Sequence, residues 1–93
     1  MKKDPSEIIT VTFDFSDVAT SCINPVVSIA VEAGRDDAGA AAMLSGSPQT
    51  DGTSILQRVI GGISGNTYKL RCQIDDADGE RWVAADLLDV VES

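Results

Sequence analysis

The fold is decided by the stretch Ile60-Gly61-Gly62-Ile63-Ser64-Gly65-Asn66-Thr67-Tyr68-Lys69-Leu70-Arg71-Cys72-Gln73-Ile74-Asp75. Its glycines precede a segment in which apolar and polar side chains alternate without a break. Such alternation predicts a β-strand with one face in the core and one face in water. The inward residues are expected to be Tyr68, Leu70, Cys72 and Ile74. A strand of this kind is typical of an antiparallel sheet that packs on one side only.

Further strands are predicted wherever the same alternation recurs. They cover residues 9–15, 26–33, 55–60 and 81–91, and a short alanine-rich strand is predicted at 40–45. The segments 16–25, 47–53 and 75–79 are rich in Gly, Pro, Asn, Asp and Ser, which predicts loops and turns. In the last strand the apolar side changes from Val83, Ala85 and Leu87 to Leu88 and Val90, which predicts a β-bulge near Leu87.

Six or seven short strands with polar connections predict an all-β fold, an immunoglobulin-like or fibronectin-III-like sandwich of antiparallel strands. A tyrosine that opens a strand, as Tyr68 does, resembles the tyrosine corner of such sandwiches. The 93 residues fit one domain. We expect residues 1–7, which are polar and contain Pro5, to be a flexible arm, and residues 8–93 to form the domain.

The charge balance excludes several classes of partner. Seven basic residues against fifteen acidic ones give a net charge of −8, so nucleic acid is not an expected partner. No apolar run approaches the roughly 18 residues of a membrane span, and no membrane partner is expected. The basic start is followed by Asp4-Pro5-Ser6-Glu7 rather than by an apolar region, so no secretion signal is predicted.

Metal and cofactor sites have few candidate ligands. The sequence contains no histidine and two cysteines, Cys22 and Cys72, which we expect to be free thiols. Asp76, Asp78 and Glu80 resemble part of a calcium loop, although Asp78-Gly79 is also a strong hairpin signal. Weak calcium binding at these three residues stays an alternative to a plain turn, and no cofactor is expected.

Catalysis is not expected either. Without histidine, nucleophiles of the Ser-His or Cys-His kind are impossible. The glycines at 61, 62 and 65 precede a strand rather than a helix, so they indicate a tight turn and not a phosphate-binding loop. The sequence therefore favours a binding or structural module over an enzyme.

Four motifs together resemble a family of small immunoglobulin-like structural and accessory proteins of tailed bacteriophages and prophages. They are Lys3-Asp4-Pro5, Phe13-Asp14-Phe15, Gly61-Gly62-x-x-Gly65-x-x-Tyr68-x-Leu70 and Asp78-Gly79-Glu80-Arg81. The chain differs from the family pattern at Phe15, where the family tends to carry Trp, and in the turn. There the family tends to read Ser/Thr-Asp-Gly-Arg, and this chain reads Ala77-Asp78-Gly79-Glu80-Arg81.

The resemblance implies a virion component or assembly factor, made in the host cytoplasm, that acts through contacts with phage structural proteins or with further copies of itself. The predicted contact residues are Lys2 and Lys3 in the arm, Pro48 and Gln49 in the loop at 47–53, and Trp82 as a possible interface anchor. Two alternatives remain at this stage: a carbohydrate or cell-surface adhesion domain of the same fold, and a cytoplasmic regulator.

Overall fold

The structure is a computed structural model, and it describes residues 1–92. This part of the chain is all-β, with seven strands in two sheets and one turn of 3₁₀ helix. The strands are β1 (Lys2–Lys3), β2 (Ile9–Asp14), β3 (Ile23–Ala33), β4 (Leu44–Asp51), β5 (Ser54–Val59), β6 (Thr67–Asp75) and β7 (Arg81–Val90). Residues 1–92 contain no helix long and apolar enough to cross a bilayer.

The two sheets pack face to face around one apolar core. The four-stranded sheet has the order β1-β7-β6-β3, and the three-stranded sheet has the order β2-β5-β4. Strand β6 is central, and its inward side chains Tyr68, Leu70, Cys72 and Ile74 are fully buried. They pack in one cluster with Val11 and Phe13 of β2 and with Ile55 and Val59 of β5. The alternation in β6 therefore has the predicted phase.

Neighbouring strands are antiparallel with one exception. Strand β1 pairs in parallel with the end of β7, with Lys2 beside Asp89 and Lys3 beside Val90. The expectation of an all-antiparallel sandwich is corrected at this edge. The parallel pairing of β1 could not be predicted from the sequence, because a strand of two residues shows no alternation.

The segment predicted as a strand at 40–45 is instead a 3₁₀ turn, Ala40–Met43, followed by the start of β4. Ala40 and Met43 stand three residues apart on the same side of the turn and are both buried. The turn is too short to be stable alone, but burial of these two side chains in the core stabilises it.

The segment predicted as a loop at 47–53 mostly belongs to β4, which reaches Asp51 before a tight turn at Gly52. Its polar sequence is explained by its position at a sheet edge and by a bulge. Ser45 pairs with Arg58 and Gln49 pairs with Leu56, so β4 carries two extra residues between them. The buried Gln57 amide donates to Gly46 O at 3.2 Å and to Arg58 O at 2.9 Å, which holds the bulge.

Strand β7 has no bulge near Leu87. Its register with β6 is continuous from Arg81 to Asp89. Val83 and Leu87 therefore point outward and stay exposed, whereas Leu88 and Val90 point inward and are buried. Asp86 pairs with Leu70 and shares the phase of the inward residues, but it is exposed. A charged residue at this position interrupts the apolar pattern and explains the apparent change of phase.

Candidate interaction surfaces

A buried hydrogen-bond network at Tyr68 fixes the loop between β3 and β4. The Tyr68 hydroxyl donates to Asp37 Oδ2 at 2.9 Å and accepts from the backbone N–H of Ile63 at 3.0 Å. The Asn66 side chain donates to Arg35 O at 2.8 Å and accepts from Arg35 N at 2.9 Å. These bonds tie the corner before β6 to residues 35–37, so the connections at this end of the four-stranded sheet are held in place.

The N-terminal residues are joined to the domain. Met1 O accepts a hydrogen bond from Asp89 N at 2.9 Å, and Lys3 O accepts one from Val91 N at 2.8 Å. The Lys3 side chain is 1% exposed, and its ammonium donates to Gly61 O at 2.7 Å and Asp4 O at 2.9 Å. Burial lowers the pKa of Lys3, and the nearby Glu7 and Asp4 partly oppose that shift. Lys2 and Lys3, assigned by sequence to a flexible arm, form strand β1.

We expect Lys3→Met to weaken this attachment. The change keeps the length of the side chain but leaves Gly61 O without its donor, which costs about 1–2 kcal/mol of unfolding free energy. Amide hydrogen exchange should become faster at Asp89 and Val91, because their acceptors are Met1 O and Lys3 O in the segment that the Lys3 side chain anchors. Lys2→Met is the matched control, since Lys2 is exposed, and it should leave both the free energy and the exchange unchanged.

The outer face of the four-stranded sheet carries a concentration of basic residues. Lys69 and Arg71 stand in the middle of it on β6, with Lys2 at one end and Arg81 at the other. Two anions in these paired rows are Asp75, which forms a salt bridge with Arg81 at 2.8 Å, and Asp89, which accepts a hydrogen bond from Thr67. A third, Glu32, is exposed at the register shift near the end of β3. We call this surface, formed by the outward residues of β1, β7, β6 and β3, the basic face.

Apolar side chains flank the cations on both sides. Register places Val26 of β3, Gln73 of β6 and Val83 of β7 in one row, and Ala30, Lys69 and Leu87 in another. Val26, Val83 and Leu87 are 55%, 46% and 48% exposed. With Ile23, they make up four of the eight exposed large apolar side chains found in residues 1–92. The basic face is therefore both cationic and apolar.

The outer face of the three-stranded sheet has a different character. The bulge of β4 leaves a shallow hollow of about 480 Å³, lined by Thr10, Ser45, Gly46, Ser47, Gln49, Leu56 and Arg58. Gln49, a predicted contact residue, is exposed at this hollow, and Pro48 is half buried beside it. The structure thus places Pro48 and Gln49 on the face opposite Lys2.

Trp82 is not an exposed anchor. It pairs with Ile74 on the inward side of β7 and is half buried against the core. Its indole Nε1 is buried without a hydrogen-bond partner in residues 1–92, as is Oδ1 of Asp76. Trp82 thus closes one end of the sandwich and does not lie on either outer face.

The three calcium candidates lie in the β6–β7 hairpin turn. Asp76 N donates to Glu80 O at 2.7 Å and Gly79 N donates to Asp76 O at 3.0 Å, so backbone bonds shape the turn. Asp76 is 7% exposed, whereas Asp78 and Glu80 are exposed. The part of the chain that the structure describes contains no group of three acidic or cysteine side chains that could hold a metal ion.

Residues 3–87 match the family described as "Podophage GP4 fiber-tail adaptor protein gp77". The match covers most of the chain. The chain belongs to this phage family. The resemblance to phage structural and accessory proteins is thereby confirmed. No curated protein and no solved structure matches the chain.

Two features of this phage structural protein could be predicted only in part from the sequence: the apolar rows of the basic face and the buried polar residues. The outward residues of β6 were predicted to be exposed to solvent. The apolar residues beside them could not be predicted, because their positions depend on the register between β3, β6 and β7. Asn66 and Gln57 were not predicted as buried polar residues, because each lies in a polar or alternating segment and bonds a partner, Arg35 or Gly46, more than ten residues away.

Cys22 and Cys72 are free thiols. Burial, with a smaller contribution from Cys22, raises the pKa of the Cys72 thiol to about 11. A buried thiol with no charge to stabilise its thiolate is unreactive. Cys72 therefore acts as a small apolar residue of the core.

The raised pKa predicts a loss of stability at alkaline pH. An unfolded cysteine ionises near its ordinary pKa of 9.0, whereas folded Cys72 ionises near 11. The folded state therefore binds more protons in this window, so the contribution of Cys72 is present below pH 9 and is lost as pH rises through 11. In urea unfolding series, Cys72→Val should show a smaller decline over this window than the wild type. Equal declines would contradict the prediction.

Proposed function

We propose that the chain is a non-enzymatic adaptor that joins tail and fibre proteins of a phage particle through protein–protein contacts. The observation that carries this proposal is the family match over residues 3–87. The chain would be made in the host cytoplasm and then become part of the virion. Its two outer faces differ in charge and in apolar content, which suits a protein that contacts two different partners.

The proposal includes an immunoglobulin-like arrangement of the fold. The orders β2-β5-β4 and β7-β6-β3 correspond to the two sheets of the sandwich core in that fold. Tyr68 lies at the start of β6, and its hydroxyl bonds back to Ile63 N, five residues upstream, as in a tyrosine corner. A sandwich of this kind suits an adaptor, because its surfaces can vary while the core stays constant.

The adhesion alternative has less support. Carbohydrate binding on such a fold would call for exposed aromatic rings close to amides. Phe13, Phe15 and Tyr68 are buried, and Trp82 faces inward. The hollow beside Gln49 is lined by polar and aliphatic side chains. We therefore prefer the adaptor interpretation.

The test is a phage whose copy of this gene carries an early stop codon. Particles are purified from a host that lacks a complementing copy, then examined by electron microscopy and mass spectrometry. The proposal predicts particles that lack fibres and do not infect, with infectivity restored when the wild-type chain is supplied from a plasmid. Particles that keep a normal set of fibres, or wild-type particles that do not contain the chain, would overturn it.

A further inference from the structure

The basic face has a charge opposite to that of the whole molecule. The chain carries a net charge of −8 and only seven basic residues. Four of these, Lys2, Lys69, Arg71 and Arg81, lie on the basic face, against three anions, Asp75, Asp89 and Glu32. Arg81 is paired with Asp75. Lys69 and Arg71 form no salt bridge within residues 1–92, so their charges are available to a partner.

The apolar part of this face does not stabilise the isolated fold. Val26, Val83 and Leu87 point away from the core, which is formed by the opposite side of the same strands. Contiguous exposed apolar side chains beside polar ones are a feature of protein interfaces. Lys69 and Arg71 lie between two apolar strands, so a partner would bury both kinds of side chain together.

We propose that the basic face is the surface through which the chain binds an acidic, partly apolar surface on a different protein of the tail or fibre. The proposal rests on the adaptor function proposed above. Carboxylates of the partner would meet Lys69 and Arg71, and its apolar side chains would cover Val83, Leu87 and Val26. Opposite charges at an interface speed association and fix its orientation, while the apolar rows supply buried area.

A second copy of this chain is a less suitable occupant. Two molecules of net charge −8 repel each other. A two-fold symmetric contact through the basic face would also place Lys69 and Arg71 opposite the same cations of the other copy. Nucleic acid is less suitable as well, because phosphates would not cover Val83 and Leu87, and Asp75 and Asp89 would lie in the contact.

The test compares two variants with the same change of two charge units. Lys69→Ala with Arg71→Ala removes two cations from the basic face, whereas Arg35→Glu makes the same change at an exposed residue outside both outer faces. Each is supplied from a plasmid to the stop-codon phage, and copies per purified particle are counted by quantitative mass spectrometry. Loss of Lys69 and Arg71 should lower the copy number about tenfold, and the control should match the wild type. Thermal unfolding must show that both variants fold.

The outcomes separate this proposal from the adaptor function. If the wild type enters particles and the Lys69/Arg71 variant enters equally well, the basic face is not the contact surface and the adaptor function stands. Equal losses of copy number in both variants would show an effect of total charge, and they would also contradict the assignment of the basic face as the contact surface. Self-association of the purified wild type, or binding of duplex DNA, that the Lys69/Arg71 change abolishes would overturn the stated occupant. Absence of the wild type from particles would instead remove the adaptor function.

Discussion

Gly34→Ala is expected to lower the unfolding free energy by about 3 kcal/mol, measured by chemical denaturation. Gly34 directly follows β3 and has a φ of +113°, which residues with a side chain rarely adopt. A Cβ at this position would overlap Oδ1 of Asn66 and lie 3.0 Å from Asn66 Cα. Asn66 cannot move away cheaply, because it is 2% exposed and bonds both N and O of Arg35.

Gly79→Ala is the matched control for this change. Gly79 also has a positive φ, +88°, but a Cβ there would meet no atom within 4 Å. It should cost only the backbone strain, about 1 kcal/mol. If the two variants lose the same unfolding free energy, the close contact between Gly34 and Asn66 does not hold the loop after β3.

Tyr68→Ala is expected to lower the unfolding free energy by about 4 kcal/mol, because it removes a fully buried ring from the centre of the core. Tyr68→Phe separates the hydroxyl from the ring. It leaves Asp37 Oδ2 and Ile63 N without their partner and should cost about 2 kcal/mol. Both losses are to be measured by equilibrium denaturation. Leu56→Ala is the control and should lose less free energy than Tyr68→Ala, because Leu56 is only half buried.

A Tyr68→Phe variant as stable as the wild type would contradict the network. It would mean that Asp37 and Ile63 find water in place of the hydroxyl. In that case the loop at 35–37 would be held by Asn66 alone, and Asn66→Ala would be the change that releases it.

The sequence predicted those strands whose inward side is uninterrupted. Strands β2 and β6 have the predicted phase, because each alternates over six or more residues and each buries one side. The hairpin turn at Gly79 was predicted by its Asp-Gly pair. In these segments local preference and tertiary packing agree, so a local pattern is sufficient.

The predictions from sequence were wrong in segments whose structure is determined by contacts with residues distant in the chain. The 3₁₀ turn at Ala40–Met43 exists because Met43 reaches the core, and β4 is a strand because Gln57 supports its bulge. Neither contact has a signature within its own segment. The apparent change of phase in β7 had a different cause: the exposed Asp86 occupies a position in the phase of the inward residues, and no residue is inserted.

The contact residues were predicted by type rather than by position. Lys2 lies on the basic face, but Lys3 is buried by its parallel pairing with Val90. Trp82 was chosen because tryptophan is common at interfaces, and the register with Ile74 turns it inward. Lys69 and Arg71 were recognised as outward residues, while the apolar rows beside them required the strand order.

A cryo-electron microscopy reconstruction of the phage tail tests the position of the basic face in the assembled particle directly. The predicted result is density for this chain between tail and fibre, with Lys69 and Arg71 within 4 Å of carboxylates on a different protein. Density in which the basic face points into bulk solvent, while another face makes the contacts, would contradict the account.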